Sequence, residues 1–290
     1  MTSVNLRRSI LFVPGANVRM LEKARDLAAD VLVFDLEDAV GPEEKELARE
    51  NVVHAIAGRA YEGRELAVRI NAADSPEGLA DLEAILPYGP DIIVLPKVED
   101  PELVARICAA LDESGAPRGL ALWVMIETPK AMLHLADIAA TGARRRVSAL
   151  VAGSNDLAEQ LGLPLGRRRW ALHPFLMQMV AAARAHSLLA IDGVFNNHGD
   201  PDGFAHEAGD ARAMGFDGKS LIHPNQIGPC HSAFQPSWEE LSFARRVVAA
   251  FQIPENLTSG AIAVDGRMVE RLHLDAARRV LALAGESEDA

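Results

Sequence analysis

Eight short apolar runs, each followed by a longer stretch of helical character, constrain this chain more than any other feature. They are "SILFVPG" from Ser9, "VLVFDLED" from Val31, "ELAVRIN" from Glu65 and "DIIVLPKV" from Asp91, then "LALWVMIET" from Leu120, "VSALVAGS" from Val147, "LAIDGVFN" from Leu189 and "GKSLIHP" from Gly218. Nearly unbroken apolarity, without polar alternation, is what parallel strands covered on both faces require. The stretches between them carry helix signals. "NVRMLEKARDLAA" sets Val18, Leu21, Ala24 and Leu27/Ala28 on one face. "DPELVARICAALDESG" opens with Asp100 as N-cap and Pro101 at the first helical position, and it stops at Gly115. Eight strand-then-helix units predict an α/β fold of the (β/α)8 TIM-barrel type, with "PSWEELSFARRVVAAF" as the helix after the eighth strand. An open doubly wound sheet is the alternative, but no G-x-G-x-x-G follows the first strand.

The chain of 290 residues is long enough for one large α/β barrel or for two ordinary domains. The expected division is a barrel core over 1–235, a last barrel helix and linker over 236–259, and a C-terminal lid segment over 260–290. A helix is expected from Met268 to Ala284, followed by a polar end. A net charge of −12 argues against nucleic acid or an anionic membrane surface as partner, and no segment has the length of a membrane-spanning helix. The apolar stretch after Arg7 and Arg8 ends at Pro14-Gly15, too short for a signal peptide. The two cysteines, Cys108 and Cys230, lie far apart, which disfavours disulfides and thiolate metal sites and predicts a cytoplasmic protein.

In a barrel of this type the chemistry sits at the C-terminal strand ends. Those ends carry Asp35, Glu37 and Asp38, then Arg69 with Asn71, Lys97, Glu127, Ser154-Asn155-Asp156, Asp192 and His223. Glu127 and Asp156 end neighbouring strands with no His or Cys beside them. They suit either a hard cation, Mg²⁺ above all, or helix capping, for which Asp156 is well placed. Asp35, Glu37 and Asp38 either take part in chemistry and orient metal-bound water, or pair with Arg19, Arg69 or Lys97. Arg69 offers a planar fork for a substrate oxyanion, or else neutralises the acidic cluster. Lys97 is a weak Schiff-base candidate among so many acids. His223 is expected to be structural.

The segments "RSILFVPG", "VFDLEDAV", "VRIN", "LPKV", "IETP", "GSNDLA" and "GFDGKSLIHPNQI", in this order from Arg8 to Ile227, resemble the citrate lyase β-subunit-like branch of the HpcH/HpaI aldolase superfamily, which includes the malyl-CoA lyases. The resemblance implies a Mg²⁺-dependent barrel that makes or breaks a carbon–carbon bond beside an acyl thioester. It implies Glu127 and Asp156 as Mg²⁺ ligands and Arg69 as the group that faces the substrate oxygen; Glu37 and Asp38, from their place at the strand tip, are the further catalytic candidates. Pro14, Arg69, Lys97, Gly153 and Ser154 would then line the place of a 2-oxo or 2-hydroxy acid. The expected partners are that acid and an acyl-CoA, within a homotrimer or hexamer whose C-terminal segments cover neighbouring sites.

Two departures refine the likeness. The superfamily's pyruvate aldolases resemble "DGEH" after the second strand, where this chain has Asp38 in place of the His. The lyases carry a lid segment "G-x-M-[VI]-D-x-P", where this chain has "GRMVERL", so that Glu270 takes the position of the lid acid/base and Leu272 that of the Pro. The implied activity is reversible cleavage of a malyl-CoA-like thioester. The alternatives are a citrate lyase β subunit that works on an acyl-carrier protein, and a non-catalytic barrel.

Overall fold

In the computed structural model, which describes residues 6–286 except 59, 62 and 165–167, the eight apolar runs form eight strands. They are β1 (Ser9–Pro14), β2 (Val31–Asp35), β3 (Glu65–Arg69), β4 (Ile92–Leu95), β5 (Ala121–Ile126), β6 (Val147–Ala152), β7 (Leu189–Asp192) and β8 (Gly218–Leu221). Each lies parallel to the next, and β1 pairs with β8, so the sheet closes into the expected barrel. Alternate side chains fill its interior: Ile10, Val31, Val33, Ala67, Val94, Trp123, Met125, Val151 and Ile191 form one buried cluster. The other face of each strand packs under helices, which is why the runs are apolar throughout.

Local signals placed the helices. Asn17 accepts a hydrogen bond from the Met20 N–H, and Asp100 accepts one from the Leu103 N–H at 2.7 Å. The first helix, Val18–Ala24, has only seven residues, so its packed face shrinks to Leu21 and Ala24, while Val18 and Ala28 lie exposed.

The end of the chain is organised differently from expectation. The helix that follows β8 in the barrel unit, Arg7–Ala233, is Ile227–Phe234, and a second unit begins at Phe234. The helix Trp238–Gln252 belongs to that second unit. Its buried Ala244, Val247, Val248 and Phe251 form one core with Leu274, Ala277 and Leu281 of the helix Arg271–Leu283. The division therefore falls at 233/234 rather than at 235/236 and 259/260. Met268 does not start a helix. An antiparallel hairpin, β9 (Ala261–Val264) and β10 (Arg267–Glu270), turns through Asp265 and Gly266, both at positive φ, and it buries Val264 and Val269 in the same core. The polar end from 287 onward lies outside the described residues.

A charged cluster braces the barrel wall between β7, β8 and the helix Pro201–Met214. Ile191 and Ser220 face inward, so their neighbours Asp192 and Lys219 face the helical layer. Asp192 accepts two bonds from Arg169, at 2.7 and 2.6 Å, and one from Lys219 at 2.7 Å. Lys219 also donates to Glu207 at 2.8 Å and to the Gly193 carbonyl at 2.7 Å. Burial alone would raise the Asp192 carboxyl, but the two cations outweigh it and hold its pKa at about 2, against an ordinary 3.8. A lowered carboxylate pKa adds stability that is complete above the ordinary value and is lost as pH falls through it towards the folded value. Asp192→Asn leaves two cations short of a counter-charge and is expected to cost about 3–5 kcal/mol at neutral pH. Urea unfolding of both proteins should show that gap closing as the pH falls from about 4 to about 2. A constant gap would rule out the ionised pair as its source.

Candidate active site

Closing the barrel brings the C-terminal tips of β1, β2, β3, β5, β6, β7 and β8 around one cavity of about 370 Å³. Its lining includes Phe12, Pro14, Asp38, Arg69, Met125 and Glu127, with Gly153, Ser154, Asp156, Asn196 and Ser220 on the other side. Glu37 and Lys97 are absent from that lining. They face the adjoining depression, shared with Asp38, Lys45 and Asn71.

The acidic triplet after β2 divides into distinct roles. Asp35 is buried and binds Arg69 through both oxygens, at 2.6 and 2.5 Å. The same carboxylate accepts the N–H groups of Glu37 and Ala39, at 3.0 and 3.1 Å, so it fixes the loop as well as the guanidinium. The other face of Arg69 meets Glu37 at 3.1 Å and Asp38 at 3.4 Å. Its guanidinium carbon lies 5.1 Å from the centroid of the Phe12 ring. Arg69 is thus both the neutraliser of the cluster and a wall of the cavity. Burial opposes its charge, but Asp35, Glu37 and Asp38 overcome that and raise its pKa further.

Glu37 and Asp38 share one charge balance. Burial pushes the Glu37 carboxyl up, against the pull of Arg69 and Lys97. Asp38 is half-exposed, and although burial would raise it, its contact with Glu37 and the nearby cations hold it below the usual carboxylate range. Of the two, Asp38, the member whose carboxyl is held low, borders the cavity.

Across the cavity, Glu127 is 1 % exposed at the tip of β5. Its Oε1 accepts the Lys97 N–H at 2.6 Å, while its Oε2 is buried without a hydrogen-bond partner. Desolvation raises the Glu127 pKa to about 8 against the Lys97 hydrogen bond, and the charges of Glu37 and Asp156 add to the rise. Asp156 stands beside it in the first turn of the helix Ser154–Gln160, whose N-cap is Gly153, so Asp156 does not cap that helix. A Cβ at Gly153 would lie 2.2 Å from Glu127 Cβ and 2.6 Å from Oε2. Only glycine leaves room for that carboxylate. Two further hydroxyls of the lining, Ser154 Oγ and Ser220 Oγ, are buried without partners.

These residues fit a hard divalent cation. An orphaned carboxylate oxygen beside a second carboxylate, with no His or Cys in the lining, is an oxygen-only donor set. Among the described residues no three His, Cys, Asp or Glu side chains are grouped to hold a metal; two carboxylates would leave the other positions of a Mg²⁺ ion to substrate and water.

The family model described as HpcH/HpaI aldolase/citrate lyase matches residues 8–224. The chain belongs to this enzyme family. A (3S)-malyl-CoA thioesterase of Cereibacter sphaeroides is 42% identical over 277 residues, covering 96% of this chain and 94% of the relative. The citrate lyase subunit beta of Escherichia coli is 36% identical over 285 residues, covering 96% and 93%. The crystal structure of the protein CitE from Mycobacterium tuberculosis, in complex with magnesium, acetoacetate and coenzyme A, superposes with a TM-score of 0.77 at 33% identity, covering 97% of this chain and 99% of that one.

Of the residues singled out from the sequence, Pro14, Asp38, Arg69, Glu127, Gly153, Ser154 and Asp156 come together around the cavity. Glu37 and Lys97 stand behind it. Glu270 lies in the second unit, at the end of β10, where its N–H donates to His273 Nδ1 at 2.9 Å. His223 caps a short turn, accepts the Asn225 N–H and stacks on His198, a structural role. Ser220 and Asn196 were missed. Strand alternation in "GKSL" could have turned Ser220 inward, whereas nothing in "VFNNH" marks Asn196.

Arg69→Lys keeps a charge but cannot bridge both oxygens of Asp35. It is expected to lower the unfolding free energy by about 1–3 kcal/mol, measured by urea denaturation. Unchanged stability would mean that the fork holds nothing in the fold.

Proposed function

We propose that this chain is a Mg²⁺-dependent enzyme that cleaves and forms the carbon–carbon bond of a malyl-CoA-like thioester, exchanging a 2-hydroxy-acid thioester for a 2-oxo acid and an acyl-CoA. The observation that carries the reading is the unpartnered Glu127 Oε2 beside Asp156, facing Arg69 across one cavity. Mg²⁺ held by Glu127 and Asp156 would supply Lewis-acid polarisation of the substrate's hydroxyl and carboxylate oxygens.

The remaining tasks fall to the chain's own groups. Arg69, already locked by Asp35, meets developing negative charge without reorganising. Ser154 and Ser220 present free hydroxyls to substrate oxygens. Asp38, kept ionised, accepts hydrogen bonds at the rim. Phe12 and Met125 supply the apolar wall that keeps water from a carbanion-like product. Glu270 is proposed as the acid/base, delivered from another copy of the chain in a trimer or hexamer.

Thioester hydrolysis is the second reading, favoured by the 42% identical relative named as a thioesterase. The two separate by their products from malyl-CoA. Carbon–carbon cleavage yields glyoxylate and acetyl-CoA with the thioester intact, whereas hydrolysis consumes water and yields malate and a free CoA thiol. Chromatography plus thiol titration on the purified protein with Mg²⁺ decides between them. Turnover only with an acyl-carrier-protein thioester would point to the citrate lyase role instead. Glu127→Gln is expected to remove the Mg²⁺-dependent rate with the fold intact by circular dichroism, and full retained activity would sink the metal assignment. Mixing Glu270→Ala with Asp156→Asn under subunit exchange is expected to restore part of the activity. No recovery, or full turnover by Glu270→Ala alone, removes Glu270 from the reaction.

A further inference from the structure

Among the described residues, only Lys97, Ser187 and Asp265 hold a side chain other than glycine at positive φ. Ser187 follows the end of the helix His173–Ala185, and Asp265 sits in the β9–β10 turn, where a helix end and a tight hairpin call for that geometry. Lys97, at φ +53°, bends the chain just beyond β4, between the buried Pro96 and Val98. A lysine there is strained where glycine would not be. Strain of this kind persists when the surrounding contacts over-determine it.

Two contacts do so, and they use different parts of the residue. The backbone N–H donates to Glu127 Oε1 at 2.6 Å, which occupies one oxygen and leaves Oε2 without a partner in the cavity lining. The ammonium turns the other way, to Glu37 Oε1 at 2.5 Å and Asp38 Oδ1 at 3.6 Å. Lys97 itself faces the adjoining depression rather than the active cavity.

We propose that Lys97 is the positioning residue of the metal site: its left-handed backbone aims the free oxygen of Glu127 into the cavity, while its ammonium holds Glu37 back in the adjoining depression. This rests on Glu127 being a metal ligand. The two arms act on cation binding with opposite sign. The ammonium is a positive charge near the site, so its removal does not weaken a divalent cation and favours it by simple electrostatics. The backbone arm depends on φ. A β-branched residue at positive φ is an outlier, so valine pulls the segment towards negative φ and swings the N–H off Glu127. Loss of such an outer partner typically weakens metal binding about 10–100-fold.

The test measures Mn²⁺ affinity of the full-length protein without substrate, by electron paramagnetic resonance of the free ion, with circular dichroism as a check on folding. Glu127→Gln serves as the site control. Lys97→Gly, which keeps the N–H and accepts positive φ, is expected to bind Mn²⁺ as tightly as the wild type or more tightly. Lys97→Val is expected to lose about 10–100-fold, with Lys97→Ala in between. Should the Val protein fail to fold, the order of Gly, wild type and Ala decides. A loss in Lys97→Gly as large as in Lys97→Val or Lys97→Ala would assign the effect to the ammonium and overturn the proposal. Unchanged affinity in both Ala and Val, with binding lost in Glu127→Gln, would also overturn it. Unchanged affinity in Glu127→Gln would overturn the metal reading itself, and this inference with it.

Discussion

The Arg69–Asp35 pair is the contact on which the mouth of the barrel depends. Asp35 accepts the guanidinium fork on one side and the N–H groups of Glu37 and Ala39 on the other, so one carboxylate sets both the arginine and the loop that carries Glu37 and Asp38. Arg69 then reaches Glu37, Glu37 holds the Lys97 ammonium, and the Lys97 N–H holds Glu127. Five residues from β2, β3, β4, β5 and their loops are thereby linked in one chain of charge-assisted contacts. Contacts of this kind are stronger and more directional than neutral hydrogen bonds, which suits them to hold a cavity in shape before any ligand arrives.

Two charged clusters of the barrel show how charge balance separates a brace from a site. On the outer side of β7 and β8, the carboxylate oxygens of Asp192 are met by Arg169 and Lys219, and Lys219 is in turn shared with Glu207. Its contribution is mechanical, because Lys219 also grips the Gly193 carbonyl at the base of the loop that carries Val194 and Asn196 into the cavity. Inside the mouth, carboxylates outnumber cations, and a buried oxygen of Glu127 is left without a partner. Such an imbalance is costly in a low-dielectric setting, and it persists where function needs the charge. Burial is the main reason the Glu127 pKa is raised, and the charges of Glu37 and Asp156 add to it.

Under the proposed function, carbon–carbon cleavage and thioester hydrolysis would both begin from one bound thioester. What separates them is whether a water molecule reaches the acyl carbon. The apolar lining residues Phe12 and Met125 would oppose that entry.

Much of this was legible in the residues alone. The eight apolar runs determined the barrel, because strands buried on both faces need continuous apolarity and eight strand–helix repeats have one natural closure. Strand tips then pointed to Asp38, Arg69, Glu127, Ser154 and Asp156, because residues at the ends of successive parallel strands must share one rim. Three things were decided only by tertiary structure. Whether Asp35, Glu37 and Asp38 face substrate or each other depends on which cation reaches them, and Arg69 arrives from 34 positions away. The helix Trp238–Gln252 looked like the barrel's last helix, but its apolar face found a better partner in the C-terminal hairpin and helix. The left-handed turn at Lys97 is invisible in "LPKV", since nothing local favours it. Local sequence sets periodicity and caps, whereas side-chain pairing and backbone strain answer to groups that only the closed barrel brings within reach.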